Sequence, residues 1–119
     1  METTRQKKIA GVLQQDLGEI IDGVVRDHMR GALLSVSEVR VSPDLANAKV
    51  FVSVFPVQKK TEAMQLLEHQ TASIRHQLGT RIRHQMRIVP ELLFRLDDTL
   101  ESSEQMDRLL NEKGELPEL

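Results

Sequence analysis

The sequence predicts a single α+β domain in the order helix, strand, strand, helical pair, strand, helix. Three observations predict it: a length of 119 residues, apolar residues at helical spacing near the start, and two central stretches that alternate apolar and polar residues. The chain between the second and third strands is long enough for a right-handed crossover connection. We therefore expect those strands to be parallel neighbours in a three-stranded mixed sheet with helices on one face.

The first helix has the strongest pattern. Its apolar residues recur every three or four positions and so line one stripe, which comprises Ile9, Val12, Leu13, Leu17, Ile20, Ile21, Val24 and Val25. Thr3 and Gln6 have the spacing of a capping box, so the helix is expected to begin near Thr4. The helix is expected to end at Arg30 and Gly31.

Two strands are predicted next. Residues 33–42 are rich in valine and serine and alternate, but the apolar parity changes between Val36 and Val39, which indicates a bulge. A turn at residues 42–44 follows, and residues 48–55 then alternate cleanly. The second strand is therefore expected to run antiparallel to the first.

The second half of the chain is predicted to be a helical stretch, a strand and a last helix. The stretch covers residues 61–85, with Gly79 interrupting it, and residues 88–96 alternate as a strand with Pro90 inside. Because proline cannot donate a ladder hydrogen bond, this strand is expected at the edge of the sheet.

The last helix is expected to start at a cap formed by Asp98 and Glu101 and to carry Met106, Leu109 and Leu110. It closes a domain of residues 1–113, and residues 114–119 are expected to form a short flexible tail.

Composition argues against several functional classes. The chain has no cysteine, which excludes a disulfide scaffold and a cysteine nucleophile and fits a cytoplasmic location. No apolar run approaches the roughly 18 residues of a membrane span, so no membrane association is expected. No phosphate-binding glycine loop or nucleophile elbow is present, and no carboxylate stands among the histidines at positions 69, 76 and 84. We expect no catalytic residue, no metal site and no cofactor.

Charge is distributed unevenly along the chain. The net charge is −2, yet residues 1–90 hold 13 Lys and Arg against 9 Asp and Glu, whereas residues 91–119 hold 3 against 9. No acidic residue occurs between Glu68 and Glu91, and four arginines lie in that window. The window predicts either a solvated helix face or a surface that binds a polyanion. Because Tyr and Trp are absent, contacts to phosphates are expected rather than bases stacked on aromatic rings.

Five segments spread over nearly the whole chain form a specific combination of motifs. They are residues 5–9, residues 39–45 with the sequence Val-Arg-Val-Ser-Pro-Asp-Leu, residues 48–54 with Ala-Lys-Val-Phe-Val-Ser-Val, residues 74–79 with Ile-Arg-His-Gln-Leu-Gly, and residues 87–92 with Arg-Ile-Val-Pro-Glu-Leu, followed by Asp97-Asp98. This combination resembles the ribosome-binding factor A family of bacterial assembly factors for the small ribosomal subunit.

The resemblance implies a type II KH-like fold and a non-enzymatic, monomeric factor. It also implies binding to the maturing small subunit and its ribosomal RNA, help with late RNA processing and folding, and a need that is greatest in the cold. Ribosomal proteins and a GTPase that releases the factor are further expected partners. The family kinks its paired helices at an Ala-x-Gly sequence; here the matching residues are Gln70-Thr71-Ala72, so the kink is predicted there or at Gly79.

Two hypotheses about function follow. In the first, the chain binds RNA, and the predicted RNA-binding residues are Arg75, Arg81, Arg83 and Arg87, extended by His76, His84, Arg5, Lys7, Lys8 and Lys49. In the second, the chain is a protein-interaction module, whose acidic last helix docks a basic ribosomal protein through Glu101, Glu104, Asp107 and Glu112.

Overall fold

Three helices pack on one face of a three-stranded sheet in the part of the chain that the computed structural model describes, residues 2–97. In chain order the elements are α1 (Thr4–His28), β1 (Leu33–Val41), β2 (Asn47–Phe55), α2 (Lys60–His69), α3 (Thr71–Ile82) and β3 (Glu91–Leu96). A 3-10 turn, Val57–Lys59, precedes α2. β2 is central, antiparallel to β1 and parallel to β3, which confirms the predicted mixed sheet. The predicted last helix and tail lie outside the described residues.

The start of α1 is fixed by the predicted capping box. The Thr3 hydroxyl accepts a hydrogen bond from the Gln6 backbone N–H at 3.1 Å, and the Gln6 side-chain carbonyl accepts one from the Thr3 backbone N–H at 2.9 Å. The Gln6 amide also donates to the Val41 carbonyl at 2.9 Å. Gln6 is only 5% exposed, so one buried side chain joins the start of the helix to the end of β1.

The predicted bulge in β1 is confirmed. Pairing passes from Val36 opposite Val52 to Glu38 opposite Phe51, so Ser37 is the extra residue. Gln14 of α1 donates its side-chain amide to the carbonyls of Val36 and Ser37 at 3.2 and 3.3 Å. The helix thus satisfies backbone acceptors where the bulge disturbs the ladder.

The paired helices break at Gln70, and the predicted interruption at Gly79 is wrong. Gln70 ends α2 and precedes α3, whereas Gly79 lies inside α3. A Cβ at position 79 would lie 3.0 Å from Cγ2 of Val89. The glycine therefore lets the chain before β3 approach the helix closely, and does not end it. The helix also ends at Ile82, earlier than the predicted position 85.

The third strand begins at Glu91, later than predicted. Pro90 precedes the strand and has no N–H for the ladder, so the first bond is the one from the Glu91 N–H to the Ala46 carbonyl, at 2.9 Å. Ile88, which was predicted to begin the strand, is 74% exposed. The predicted position at the edge of the sheet is confirmed.

The core lies between the helices and the face of the sheet that they cover. Its fully buried side chains come from α1, β2, α2 and α3 and include Leu13, Leu17, Ile21, Val50, Val52, Leu67, Ile74, Leu78 and Ile82. Within residues 2–97, no helix combines the length and hydropathy needed to cross a membrane.

Candidate nucleic-acid interface

Arg75 connects α3 to the chain that leads into β3. Its Nε donates to the Pro90 carbonyl at 3.1 Å and its Nη2 donates to the Val89 carbonyl at 2.8 Å. Its Nη1 lies 3.8 Å from Oε1 of Glu91. A guanidinium with donors committed to two backbone carbonyls positions the chain, so Arg75 has a structural role whether or not it also meets a phosphate.

Arg81 is neutralised within the molecule. Its Nη1 forms an ion pair with Glu19 and a second, longer one with Asp16 at 3.4 Å, both on α1. The hydrogen bond to Glu19 raises the pKa of the Arg81 guanidinium, and the bond to Asp16 adds to that rise. The Arg81 side chain thus links the end of α3 to the middle of α1, and the carboxylates of Asp16 and Glu19 lie beside its guanidinium group.

The other predicted cations of this region are exposed. Arg83, His84 and Arg87 follow α3, and His76 lies on its outer side. Over residues 2–97, none of these four side chains forms an ion pair or hydrogen bond. The same is true of Arg5, Lys7 and Lys8 in the first turns of α1, all of them exposed.

One depression brings together cations from both ends of the described chain. Its volume is about 350 Å³, and its lining residues are Arg5, Asp44, Leu45, Ala46, Gln85, Met86, Arg87 and Ile88. Three elements meet there: the start of α1, the turn between β1 and β2, and the chain between α3 and β3. Arg5 and Arg87, 82 positions apart in the sequence, therefore flank one site.

Among residues 2–97, Asp44 is the only acidic residue that lines this depression. The Ser42 hydroxyl donates to Oδ1 of Asp44 at 2.7 Å and lowers the pKa of the carboxyl, and the Ala46 N–H, at 3.1 Å from the same oxygen, adds to the effect. Hydrogen bonds within its own turn therefore hold the Asp44 carboxylate in place. Leu45 in that turn has φ 62, in the left-handed region, so the loop is a constrained wall of the site.

The exposed cations follow one side of α1. Arg81 contacts α1 at residues 16–19, and Arg87 reaches the depression beside Arg5. At 1.5 Å per residue these two points are about 17–21 Å apart along the helix axis, and residues 83–87 run between them. We name the residues Arg5, Lys8, Arg83, His84 and Arg87 the α1-edge cluster.

Lys49 does not belong to the α1-edge cluster. It lies in β2 on the sheet face that the helices leave open, opposite Arg40 on one side and Leu93 on the other. The sequence predicted it with the others because the alternation of residues 48–55 assigns Lys49 to one face of the strand but does not show which other cations share that face. Among residues 2–97 there is also no group of three or more His, Cys, Asp or Glu side chains that could hold a metal ion.

The order α-β-β-α-α-β, with a mixed sheet covered on one face, defines a small α+β protein of the type II KH-like class. A family model described as ribosome-binding factor A matches residues 5–110. The chain belongs to the ribosome-binding factor A family. This confirms the resemblance in the sequence.

Curated relatives and solved structures agree with this assignment. The chain is 42% identical over 113 residues to ribosome-binding factor A of Christiangramia forsetii, covering 94% of this chain and 86% of that one. It is 43% identical over 111 residues to the factor of Flavobacterium johnsoniae, with coverages of 92% and 85%.

Two solved structures share the fold. The crystal structure of ribosome-binding factor A from Thermus thermophilus has a TM-score of 0.64 and 26% identity, over 76% of this chain and 94% of that one. The Thermus thermophilus factor fitted as a homology model into the cryo-EM map of a 30S complex has a TM-score of 0.61 and 27% identity, over 74% and 90%.

Proposed function

We propose that this protein binds the small ribosomal subunit through its ribosomal RNA and assists late steps of RNA processing and folding. The observation that carries the proposal is the α1-edge cluster, in which exposed cations from both ends of the described chain lie along one side of α1 without internal partners. The 30S complex of the Thermus thermophilus relative supports the choice of target. The proposed role is binding, without turnover, in the bacterial cytoplasm.

The proposed contacts are mainly electrostatic. Guanidinium groups hold phosphate oxygens with paired donors, and such contacts fix a protein on RNA without reading many bases. Arg83 and Arg87 are proposed as principal contacts, with Arg5 and Lys8 extending the track. Arg75 and Arg81 hold the segment that carries the cluster in place. Arg75 donates to the Val89 carbonyl before β3, and Arg81 forms an ion pair with Glu19 of α1.

Neutralising Arg5 and Arg87 together should weaken binding to small subunits and make it less sensitive to salt. Each phosphate contact contributes about 0.7 to 0.9 to the slope of log K against log salt. The double variant R5Q/R87Q is therefore expected to reduce the magnitude of the slope by about 1.4 to 1.8. Filter binding or sedimentation with purified small subunits across a salt series measures it.

A matched control uses two arginines at the other end of the same helix. Arg26, in the last turn of α1, lies about 30 Å from Arg5 along the helix axis, and Arg30 follows the end of the helix; both are exposed, and neither has an acidic partner in residues 2–97. The variant R26Q/R30Q changes the net charge equally and should leave the slope unchanged. Equal slopes for both double variants would contradict the proposed surface, and a flat salt profile for the parent chain would contradict electrostatic binding altogether.

A further inference from the structure

The face of the sheet opposite the helices is partly apolar and uncovered among residues 2–97. Leu33 and Phe55 are direct cross-strand neighbours at one end of it, 67% and 71% exposed. Ser35 and Ser53 form the next pair on this face, and Leu93 of β3 is 42% exposed. The two serines leave a shallow strip between the Leu33–Phe55 pair and Phe51, whereas Leu93, opposite Lys49, lies about 20 Å from the level of Phe55. Exposed apolar surface of this kind marks a contact site.

The rest of the open face has a mixed charge. Arg40 forms an ion pair with Glu38 at 2.6 Å and lies over the ring of Phe51, 5.6 Å from its centroid. Lys49 and Arg95 have the same parity in their strands and lie on this face with no acidic partner within the described range. Two unpaired cations thus accompany the apolar residues.

The side chain of the last described residue, Asp97, reaches over this face. The Asp97 N–H continues the parallel ladder by donating to the Val52 carbonyl at 2.8 Å, and Asp97 has the parity of Leu93 and Arg95. The Ser37 hydroxyl of β1 donates to Oδ2 of Asp97. This contact between the end of β3 and β1 spans the central strand, so the Asp97 side chain lies across the open face.

The sequence that follows suits this surface. Residues 98–119 contain 7 Asp and Glu against 2 Lys and Arg, and carry the predicted apolar set Met106, Leu109 and Leu110. Because β2 and β3 are parallel, β3 points toward the end of β2 that carries Phe55. The distance from the level of Val52 to that of Phe55 is about 10 Å, which about three extended residues span.

We propose that residues 98–119 of the same chain dock on the open sheet face, with Met106, Leu109 and Leu110 on the strip between the Leu33–Phe55 pair and Phe51, and with acidic side chains near Lys49 and Arg95. The tether makes the contact intramolecular and so favours it at low protein concentration. Docking removes Lys49 from any role in RNA binding. A segment docked in this way is not available to bind a basic ribosomal protein, as the second hypothesis requires.

Thiol labelling of the full chain tests the docking, because the protein has no cysteine of its own. Ser35→Cys places one thiol on the strip, and its rate of reaction with a maleimide reports how often the strip is uncovered. If the segment is docked about 90% of the time, adding L109S/L110S should raise that rate about tenfold. A thiol at Gln15→Cys, exposed on α1, should react at the same rate in both backgrounds.

Each other outcome overturns the proposal. Equal rates at position 35 with and without L109S/L110S mean that the segment does not cover the strip. Protection that grows with protein concentration means that a second copy covers it. Circular dichroism of each variant confirms that the fold is intact, and small-subunit binding by R5Q/R87Q tests the α1-edge cluster independently.

Discussion

Replacing Ile82 with alanine is expected to lower the free energy of unfolding by about 2–5 kcal/mol. Ile82 is the last residue of α3 and is fully buried in the core. Removing its side-chain atoms forfeits their burial and leaves a cavity that the close-packed surroundings fill only in part. Chemical denaturation followed by circular dichroism gives the value. A loss below about 1 kcal/mol would contradict the burial assigned to Ile82.

The same substitution six positions later is the matched control. Ile88 is 74% exposed, so Ile88→Ala should change the free energy of unfolding by no more than about 0.5 kcal/mol. If Ile88 belonged to β3, as the alternation of residues 88–96 predicted, its loss would resemble that of a packed strand residue. Comparable losses at Ile82 and Ile88 would contradict the start of β3 at Glu91.

Ile82 also connects stability to the proposed RNA contacts. The chain leaves α3 at this residue and enters the segment that carries Arg83 and Arg87. An Ile82→Ala chain that is still folded at low temperature should therefore bind small subunits more weakly than the parent chain, because its cation-bearing segment is less firmly anchored. Binding is compared under conditions in which denaturation shows both chains to be folded.

The parts of the fold that the sequence predicts are those decided by near neighbours in the chain. The Thr3–Gln6 capping box is a spacing of three residues, and the bulge in β1 is a change of parity within one strand. The parallel pairing of β2 and β3 follows from the length of the chain between them together with the handedness rule for crossovers. Each of these predictions needs only a local pattern or a general rule.

The wrong predictions concern residues whose role depends on distant contacts. Gly79 resembles a helix stop in the sequence, yet its lack of a side chain accommodates Val89. Ile88 fits an alternating pattern, yet Pro90 prevents the ladder from extending back to it. In both cases the residue type is informative, but the partner that decides its role is visible only in the folded chain.

In the candidate site, too, local patterns predict some features, whereas others depend on contacts between distant parts of the chain. Residues 69–90 lack acidic side chains, but Arg81 still has two acidic partners, 65 and 62 positions earlier in α1. A weak signal was available, because Asp16 and Glu19 lie on the helical stripe that begins with Arg5 and Lys8. No pattern foretold that Arg75 donates to the carbonyls of Val89 and Pro90, since backbone acceptors leave no trace in the sequence.

Replacing Gln6 with alanine is expected to cost about 1–3 kcal/mol of the free energy of unfolding. Its side chain accepts from the Thr3 N–H and donates to the Val41 carbonyl, and it is almost fully buried. The substitution removes half of a capping box and takes a donor away from a buried acceptor at the end of β1. Gln15→Ala, at an exposed position in the same helix, should change stability by no more than about 0.5 kcal/mol.

A double-mutant comparison with Thr3 separates the hydroxyl cap from the bonds made by the Gln6 side chain. Thr3→Ala removes only the hydroxyl that accepts from the Gln6 backbone N–H and should cost about 1 kcal/mol. In that variant the Gln6 side chain still accepts from the backbone N–H of residue 3 and donates to the Val41 carbonyl. Adding Gln6→Ala removes both of these bonds, so Thr3→Ala/Gln6→Ala should lose about 1–3 kcal/mol more. Equal stabilities for Thr3→Ala and the double variant would show that the Gln6 side chain contributes nothing measurable to the junction of α1 and β1.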